Sequence, residues 1–540
     1  MGNKNRKRGL MVLSAVLLLG IIYFNSFSWE QEYCGNSEET VNQEKAGIGE
    51  KSHREAILST EVDGEVFSVR AWHNEVDDKR YFFVPEYMKN TEEWGIISND
   101  DTEAEHIILS DIPVVYIELK TGTLDGIRES KENKEKINFS LFTIEGAEKK
   151  RLSGTIKARG NASFYAPKYK KSYTINLNEA ADLLGMSGGR EWVLLAHYYD
   201  DTHLREYLTF DMARRLEMPY VPEGELINLY IDGDFQGIYF LGEKIGISPE
   251  KINITDLESL TLERIPQSAL KKYPYAREGI RGGQNVVVEK GYVAHERRLD
   301  ITGGYLLELE WLKDRYNEEQ SGFTSDANQC VVIKSPKHAT SAQVTYIKNR
   351  YQKFEDALRK SKENGTKEYL EYIDLESFVN KYLVEEVSKN MDANMSSQYL
   401  YKDVDTIDEK FYAGPVWDYD RAYDNKVGDV NNRGADMFWV NQGSAGFPFW
   451  KNLYEEETFR KRVQEVYRDK VSEALAEYAD EKLWEWEEKI HASVVADMFR
   501  YQSEYEEKLD EEVRLAQEMQ ALADFIRKRK VFLDKEWITN

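Results

Sequence analysis

The apolar residues of this chain change period part-way along, and that change sets what it can fold into. Between about residues 107 and 309 they come in short runs or alternate. Examples are Ile107-Ile108-Leu109, Val114-Val115-Tyr116-Ile117, Phe139 to Phe142, Leu152 to Ala158, Lys171 to Leu177, Leu226 to Ile231, Gly237 to Leu241 and Gly304 to Leu309. Runs of this length predict strands. After about residue 340 the spacing becomes helical. Asp374 to Lys389 reads as a helix with Asp374 at its N-cap, and Phe459, Val463, Val466, Tyr467, Val471 and Leu475 repeat at helical period. A strand-rich first half and a helix-rich second half predict an α+β chain of two lobes. A length of 540 residues suits such a two-lobed molecule better than one small core.

Local signals refine this outline. Leu152 to Ala158 and Lys171 to Leu177 predict a hairpin that encloses Arg159-Gly160-Asn161-Ala162-Ser163. Thr202 to Leu216 predicts a helix with Leu204, Leu208, Asp211, Met212 and Leu216 near one face. Asp232-Gly233-Asp234 marks a tight turn between two strands. Residues 251–300 read as a polar insertion, and Tyr399 to Tyr401 and Phe411 to Val416 as short strands flanking a turn. The expected division is a signal or anchor segment (1–29), a polar stalk with some strand character (30–106), a strand-rich lobe (107–320) and a lobe with a helical end (321–540).

The first segment reads as an address. Lys4, Arg6, Lys7 and Arg8 precede an uncharged run from Leu10 to Phe24, with Ser26-Phe27-Ser28 as a candidate cleavage site. This predicts a membrane anchor with the remaining chain outside the cytoplasm, or secretion if the segment is cleaved. The formal charge is −25, and no long basic stripe lies beyond the N-terminus, which argues against nucleic acid as a partner. Cys34 and Cys330 are too few for a disulfide framework and are expected as unpaired thiols.

Several residues could carry chemistry. Strand alternation puts Lys171 on the same face as Tyr173, Ile175 and Leu177, and Lys170 on the polar face. An inward ammonium needs a carboxylate, and Asp211 and Glu243 are the candidates. Asp418 and Asp420 follow a short apolar run at i and i+2, a spacing suited to a hard divalent cation. Asp392 follows a helix, where a loop carboxylate can orient a hydroxyl and take its proton. Each also has an ordinary reading: a lysine snorkelling from a frayed strand end, surface acids, a polar turn, a loop acid. Two cysteines exclude a cysteine-rich zinc site, and no His-Glu-x-x-His, Gly-x-Ser-x-Gly or Walker loop occurs. Asp418-x-Asp420 is also the short acidic motif of sugar-nucleotide transferases.

Together these pieces are more specific. Lys171-Ser172-Tyr173 follows Arg159-Gly160-Asn161. Leu204-Arg205 lies on a helix, Gly237 to Glu243 reads GIYFLGE, Asn390-x-Asp392 follows a helix, and Pro415-Val416-Trp417-Asp418-Tyr419-Asp420 closes the set. Over roughly residues 107–540 the chain resembles the CotH kinase family, atypical protein kinases whose members act on spore-coat and cell-surface proteins. The order of hairpin, lysine, helix acid, two strands, catalytic Asp and metal Asp is that of protein kinases.

The resemblance implies a kinase-like fold and transfer of phosphate from ATP, with Mg²⁺, to a protein substrate on the cell surface or spore coat. It implies that Lys171 contacts the phosphates and is held by Asp211, with Glu243 in reserve. Arg159, Gly160 and Asn161 would form the loop over the phosphates. Asp392 would be the catalytic-loop acid, and Asp418 would bind Mg²⁺ with Asp420 nearby. Kinases place a metal-binding Asn five residues after the catalytic Asp; here that position is Ser397, with Asn394 as a substitute. Two other functions stay open: a weak or inactive scaffold of the same fold, and a sugar-nucleotide transferase.

Overall fold

The computed structural model describes residues 57–539 apart from 63–64, 75–78, 86–94, 98–105, 111, 144–149, 161, 166–169, 282–285, 295–297, 312, 426–433, 443–448 and 502–508. The expected anchor and Cys34 lie outside the described residues. Among those residues, no helix is long and apolar enough to cross a membrane. Cys330 is buried and forms no disulfide among them. Helix makes up 43% and strand 28%, which gives an α+β chain.

The first strands are β1 (Ile57–Val62), β2 (Glu65–Arg70), β3 (Trp72–Asn74), β4 (Lys79–Pro85), β5 (Gly95–Ile97) and β6 (His106–Ser110). They form sheets ordered β2-β1-β5 and β3-β4-β6. The expected stalk is therefore corrected over its described part. Phe67, Val69 and Phe82 are buried against Val114, Phe142, Tyr230, Phe235 and Phe499, so this segment is packed onto the rest of the molecule.

Next come β7 (Val114–Leu119), β8 (Glu135–Phe142), β9 (Lys150–Arg159), β10 (Ser172–Leu183), β11 (Met186–Leu195), β12 (Gly224–Ile231) and β13 (Asp234–Glu243). They close into a barrel, ordered β10-β11-β13-β12-β7-β8-β9. Alternation fills its interior with Tyr173, Ile175 and Leu177, packed with Ile117, Phe139, Ile156, Leu194, Leu229, Tyr239 and Leu241. Asp232 and Gly233 join β12 to β13 with φ of 50° and 83°. That left-handed pair is what a two-residue hairpin requires. The predicted β9–β10 hairpin is present, with Arg159 opposite Ser172 and Ala158 opposite Tyr173.

A second sheet runs β14-β15-β17-β18-β16-β19-β20. Its strands are β14 (Tyr275–Arg281), β15 (Val286–Tyr292), β16 (Tyr305–Glu310), β17 (Gly322–Thr324), β18 (Cys330–Ser335), β19 (Gln398–Lys402) and β20 (Tyr412–Ala413). Residues 251–300, expected as an insertion, thus supply two of its strands. The polarity of β14 reflects an edge position, since it pairs only with β15. The expected boundary at 320 cuts this sheet between β16 and β17; a division after Glu243 respects both sheets.

The helices are α1 (Arg205–Arg215), α2 (Ser341–Asn364), α3 (Leu375–Ser388), α4 (Leu483–Arg500) and α5 (Glu511–Asp534). Of these, α2 and α3 pack on the second sheet, α1 packs on α3, α4 packs on the barrel strand β13, and α5 packs on α4. Asp374 caps α3 by accepting from the Ser377 amide at 2.8 Å. Phe378, Tyr382, Phe459, Val463, Val466 and Leu475 share one large core with Leu307, Val331 and Leu208. That core locks α1, which follows a barrel strand, onto the sheet-and-helix half. The two halves therefore meet along α1 and along α4, which lies against β13.

Candidate active site

The helix α3 is buried from Ser377 to Ser388 and ends with Lys389 in the left-handed region at φ 48°. The chain then enters a 3₁₀ turn, Met391–Asn394, where the Asn390 side chain accepts from the Asp392 amide at 3.1 Å. This turn puts Asp392 at the head of the site. Burial first, and the neighbouring Asp418 second, push its carboxyl up to about 7, against the pull of Arg421 and Arg315.

Two non-glycine residues with positive φ face each other just beyond. Ser397 has φ 55° and Asp418 φ 71°. The Ser397 hydroxyl donates to Asp418 Oδ2 at 3.0 Å. Strain of this kind persists where surrounding structure imposes it, and it concentrates at functional sites. Asp420 is buried, and its carboxyl is held well above the usual range by burial and then by Asp418, with His197 opposing. Asp392, Asp418 and Asp420 thus form one mutually repelling group. Tyr419, between the last two, anchors the loop. Its hydroxyl donates to Glu385 Oε1 at 2.6 Å and accepts from Lys381 Nζ at 2.8 Å. The buried Lys381 also pairs with Glu385.

The cation that meets these acids from the barrel is Arg159, the last residue of β9. Burial lowers its pKa, and Tyr399, Asp418, Glu206 and Glu308 oppose that by favouring its charge. Its guanidinium lies 5.6 Å from the centre of the Trp417 ring. The helix acid is Glu206. Its Oε2 is 2.9 Å from His197 Nε2, and Asp420 also feels its charge. Sequence reasoning placed neither Glu206 nor His197 in the site. The expectation assumed α1 had one apolar face, yet Arg205, Glu206, Leu208, Thr209, Phe210, Met212 and Ala213 are all buried. A helix packed on nearly every side hides its inward acid from a periodicity argument. The only signal was a His and a Glu on either side of the Asp200-x-Thr202 turn.

Asp211 faces another way. It accepts from Tyr478 at 2.5 Å and from Arg215 at 3.1 Å, which ties α1 to the C-terminal helices. The expectation that it holds Lys171 is corrected on that ground. Glu243 lies near Lys251 Nζ, at 3.7 Å, and accepts from Tyr220. It is opposite Trp192, which in turn faces Ile175, so it sits further along the barrel from Lys171.

Lys171 is buried, donates to the Phe164 carbonyl and lies 5.0 Å from the Phe164 ring centre. It pins the segment after Arg159. Lys170, expected on a polar face, is buried and paired with Asp497 at 2.7 Å. Gly160 has φ 98°, and a Cβ there would come within 2.1 Å of Ser163 Oγ, so only glycine fits. Asn161 lies outside the described residues, as does the side chain of Asn394.

Among the described residues, no three His, Cys, Asp or Glu side chains are disposed to hold a metal ion by themselves. Mg²⁺ asks for less: one or two carboxylates, with phosphate and water oxygens completing its shell. Asp392, Asp418 and Asp420 fit that demand, because their mutual repulsion would be relieved by a cation. Buried polar atoms without a hydrogen-bond partner among the described residues also gather here: Arg159 Nη1, His197 Nδ1, Glu206 Oε1, Asn390 Nδ2 and Arg421 Nε. Such atoms are rare in folded proteins, and several around one acidic group suit a polar ligand.

A family model described as CotH kinase protein matches residues 156–533, well over half of the chain. The chain belongs to the CotH kinase family. The matched span of this CotH family member contains Arg159, Lys171, Glu206, Asp392, Ser397, Asp418 and Asp420. No curated protein matches the chain.

Proposed function

We propose that this CotH-family protein transfers the γ-phosphoryl group of ATP, with Mg²⁺, to serine or threonine hydroxyls of surface or coat proteins. The observation that carries the reading is that Asp418, whose charge acts on both Asp392 and Asp420, also acts on Arg159 at the end of the barrel strand β9. Phosphoryl transfer needs alignment and cations on the phosphate oxygens, with little covalent work by the protein. Mg²⁺ held by Asp418 and Asp420 would neutralise the phosphates. Arg159 would face them from the barrel side, with Lys171 fixing the turn that follows it. Asp392 would orient the acceptor hydroxyl and take its proton. Ser397 would act by holding Asp418 rather than by binding metal. The loop from Arg159 through Gly160 and Asn161 would cover the phosphates. The N-terminal segment from Leu10 to Phe24 would tether the enzyme outside the cytoplasm.

The test incubates the protein with γ-labelled ATP, Mg²⁺ and acceptor proteins, including itself, followed by phosphoamino-acid analysis. Label on serine or threonine that disappears with a chelator supports the reading. A preference for sugar nucleotides over ATP, or no Mg²⁺-dependent thermal shift at millimolar ATP, contradicts it.

A further inference from the structure

Away from the acids, one buried carboxylate joins three elements that each lead into the site. Asp497 lies on α4, near the C-terminus, and is 5% exposed. Its Oδ1 is 2.7 Å from Lys170 Nζ and accepts from the Ile238 amide of β13 at 3.1 Å. Its Oδ2 is 3.5 Å from His203 Nε2. Burial would raise its pKa, but Lys170 and His203 outweigh that and hold it ionised.

Lys170 stands two residues before Ser172, the residue that pairs with Arg159 across β9 and β10. The Ser172 hydroxyl in turn accepts from the Ala196 amide at 3.0 Å, next to His197. His203 stands three residues before Glu206, and its ring centre is 6.2 Å from that of His197. The carboxylate thus grips the root of the strand beside Arg159 and the root of the helix that bears Glu206. Gly237 is shaped for this contact. It has φ 98°, and a Cβ there would fall 1.8 Å from Asp497 Oδ1. The barrel gives up a side chain at the one place where the carboxylate enters.

We infer that Asp497 is a positioning residue: with Lys170 and His203 it clamps the barrel and α1 so that Arg159 and Glu206 are held toward the three acids. It touches neither substrate nor the reacting atoms. The inference rests on the phosphoryl-transfer reading for its kinetic consequence, but not for its structural one.

The test uses the full chain with Lys170→Met and Asp497→Asn combined, which removes both charges and leaves an oxygen for the Ile238 amide. Amide exchange at 156–160 and 203–208 should quicken by roughly tenfold or more, while exchange in α2 and α3 stays as in the wild type. The kcat for transfer should fall on the order of 10²-fold, with a smaller change in the KM for ATP, because small misplacements of aligned groups cost that much. Lys170→Arg, which keeps the charge, should restore both readouts. A folded double variant with unchanged exchange at 156–160, or with unchanged kcat, overturns the inference. If the double variant does not fold, Asp497→Glu is read in the same way. If the wild type transfers no phosphate, the proposed function fails and exchange alone decides the clamp.

Discussion

Arg159 and Lys171 make different contacts, and replacing each by methionine separates their roles. Arg159 stands among Asp418, Glu206, Glu308 and Tyr399. Its removal takes away the barrel's cation and leaves those acids less compensated. Removing one pre-placed electrostatic group typically costs about 10²–10³ in rate, or about 3–4 kcal/mol. Arg159→Met should therefore lower kcat by that factor. Lys171 instead holds the Phe164 carbonyl and ring. Losing a charged hydrogen bond and a ring contact costs roughly 2–4 kcal/mol of stability. Lys171→Met should lower the denaturation midpoint and raise the KM for ATP, with a smaller loss in kcat. Initial-rate kinetics with labelled ATP and urea denaturation of each variant provide the comparison. The reasoning fails if the order reverses, with kcat lost in Lys171→Met and retained in Arg159→Met.

Three further outcomes follow from particular contacts. Ser397→Ala removes the bond to Asp418 Oδ2. A hydrogen bond to a charged group is worth roughly 1.5–3 kcal/mol, so kcat should fall about 10–100-fold while the fold survives, as read by transfer assay and circular dichroism. Arg529 is fully buried with Glu386 and also donates to the carbonyls of Ala435 and Met437. Arg529→Met leaves that carboxylate uncompensated and should cost about 3–5 kcal/mol in denaturant titration. Glu355 is buried, and burial pushes its carboxyl up to about 8 from 4.5. A raised folded pKa stabilises fully below the unfolded value and loses that stabilisation as pH rises through 8. The stability of the wild type should therefore decline against Glu355→Gln between pH 4.5 and 8, by up to about 1.4 kcal/mol per pH unit, with no change in the gap below pH 4.5.

Much of the local structure was legible in the chain. Asp232-Gly233 specified its hairpin because few other residue pairs accept φ of 50° and 83°. The alternation of Tyr173, Ile175 and Leu177 named the barrel's interior face. The Asp374 cap and the acids Asp392, Asp418 and Asp420 were readable because short-range chemistry places them. What failed was long-range. Asp211 was chosen by assuming α1 had one buried side, whereas packing on nearly all sides brings Glu206 inward. Lys170 was assigned to solvent because nothing near it in sequence announces Asp497, more than three hundred residues away. Residues 251–300 read as an insertion because an edge strand is polar. The strands β19 and β20 were legible as short apolar runs, but the pairing of β19 with β16 across two intervening helices is long-range and has no local signature.

The central claim is that Asp418 holds the cation through which phosphate is transferred. The most direct measurement is Mg²⁺-dependent transfer of labelled phosphate from ATP by Asp418→Asn, which keeps the size and removes the charge. The account predicts a loss of about 10²–10³ in kcat with the thermal midpoint preserved. Transfer at the wild-type rate from folded Asp418→Asn would contradict it.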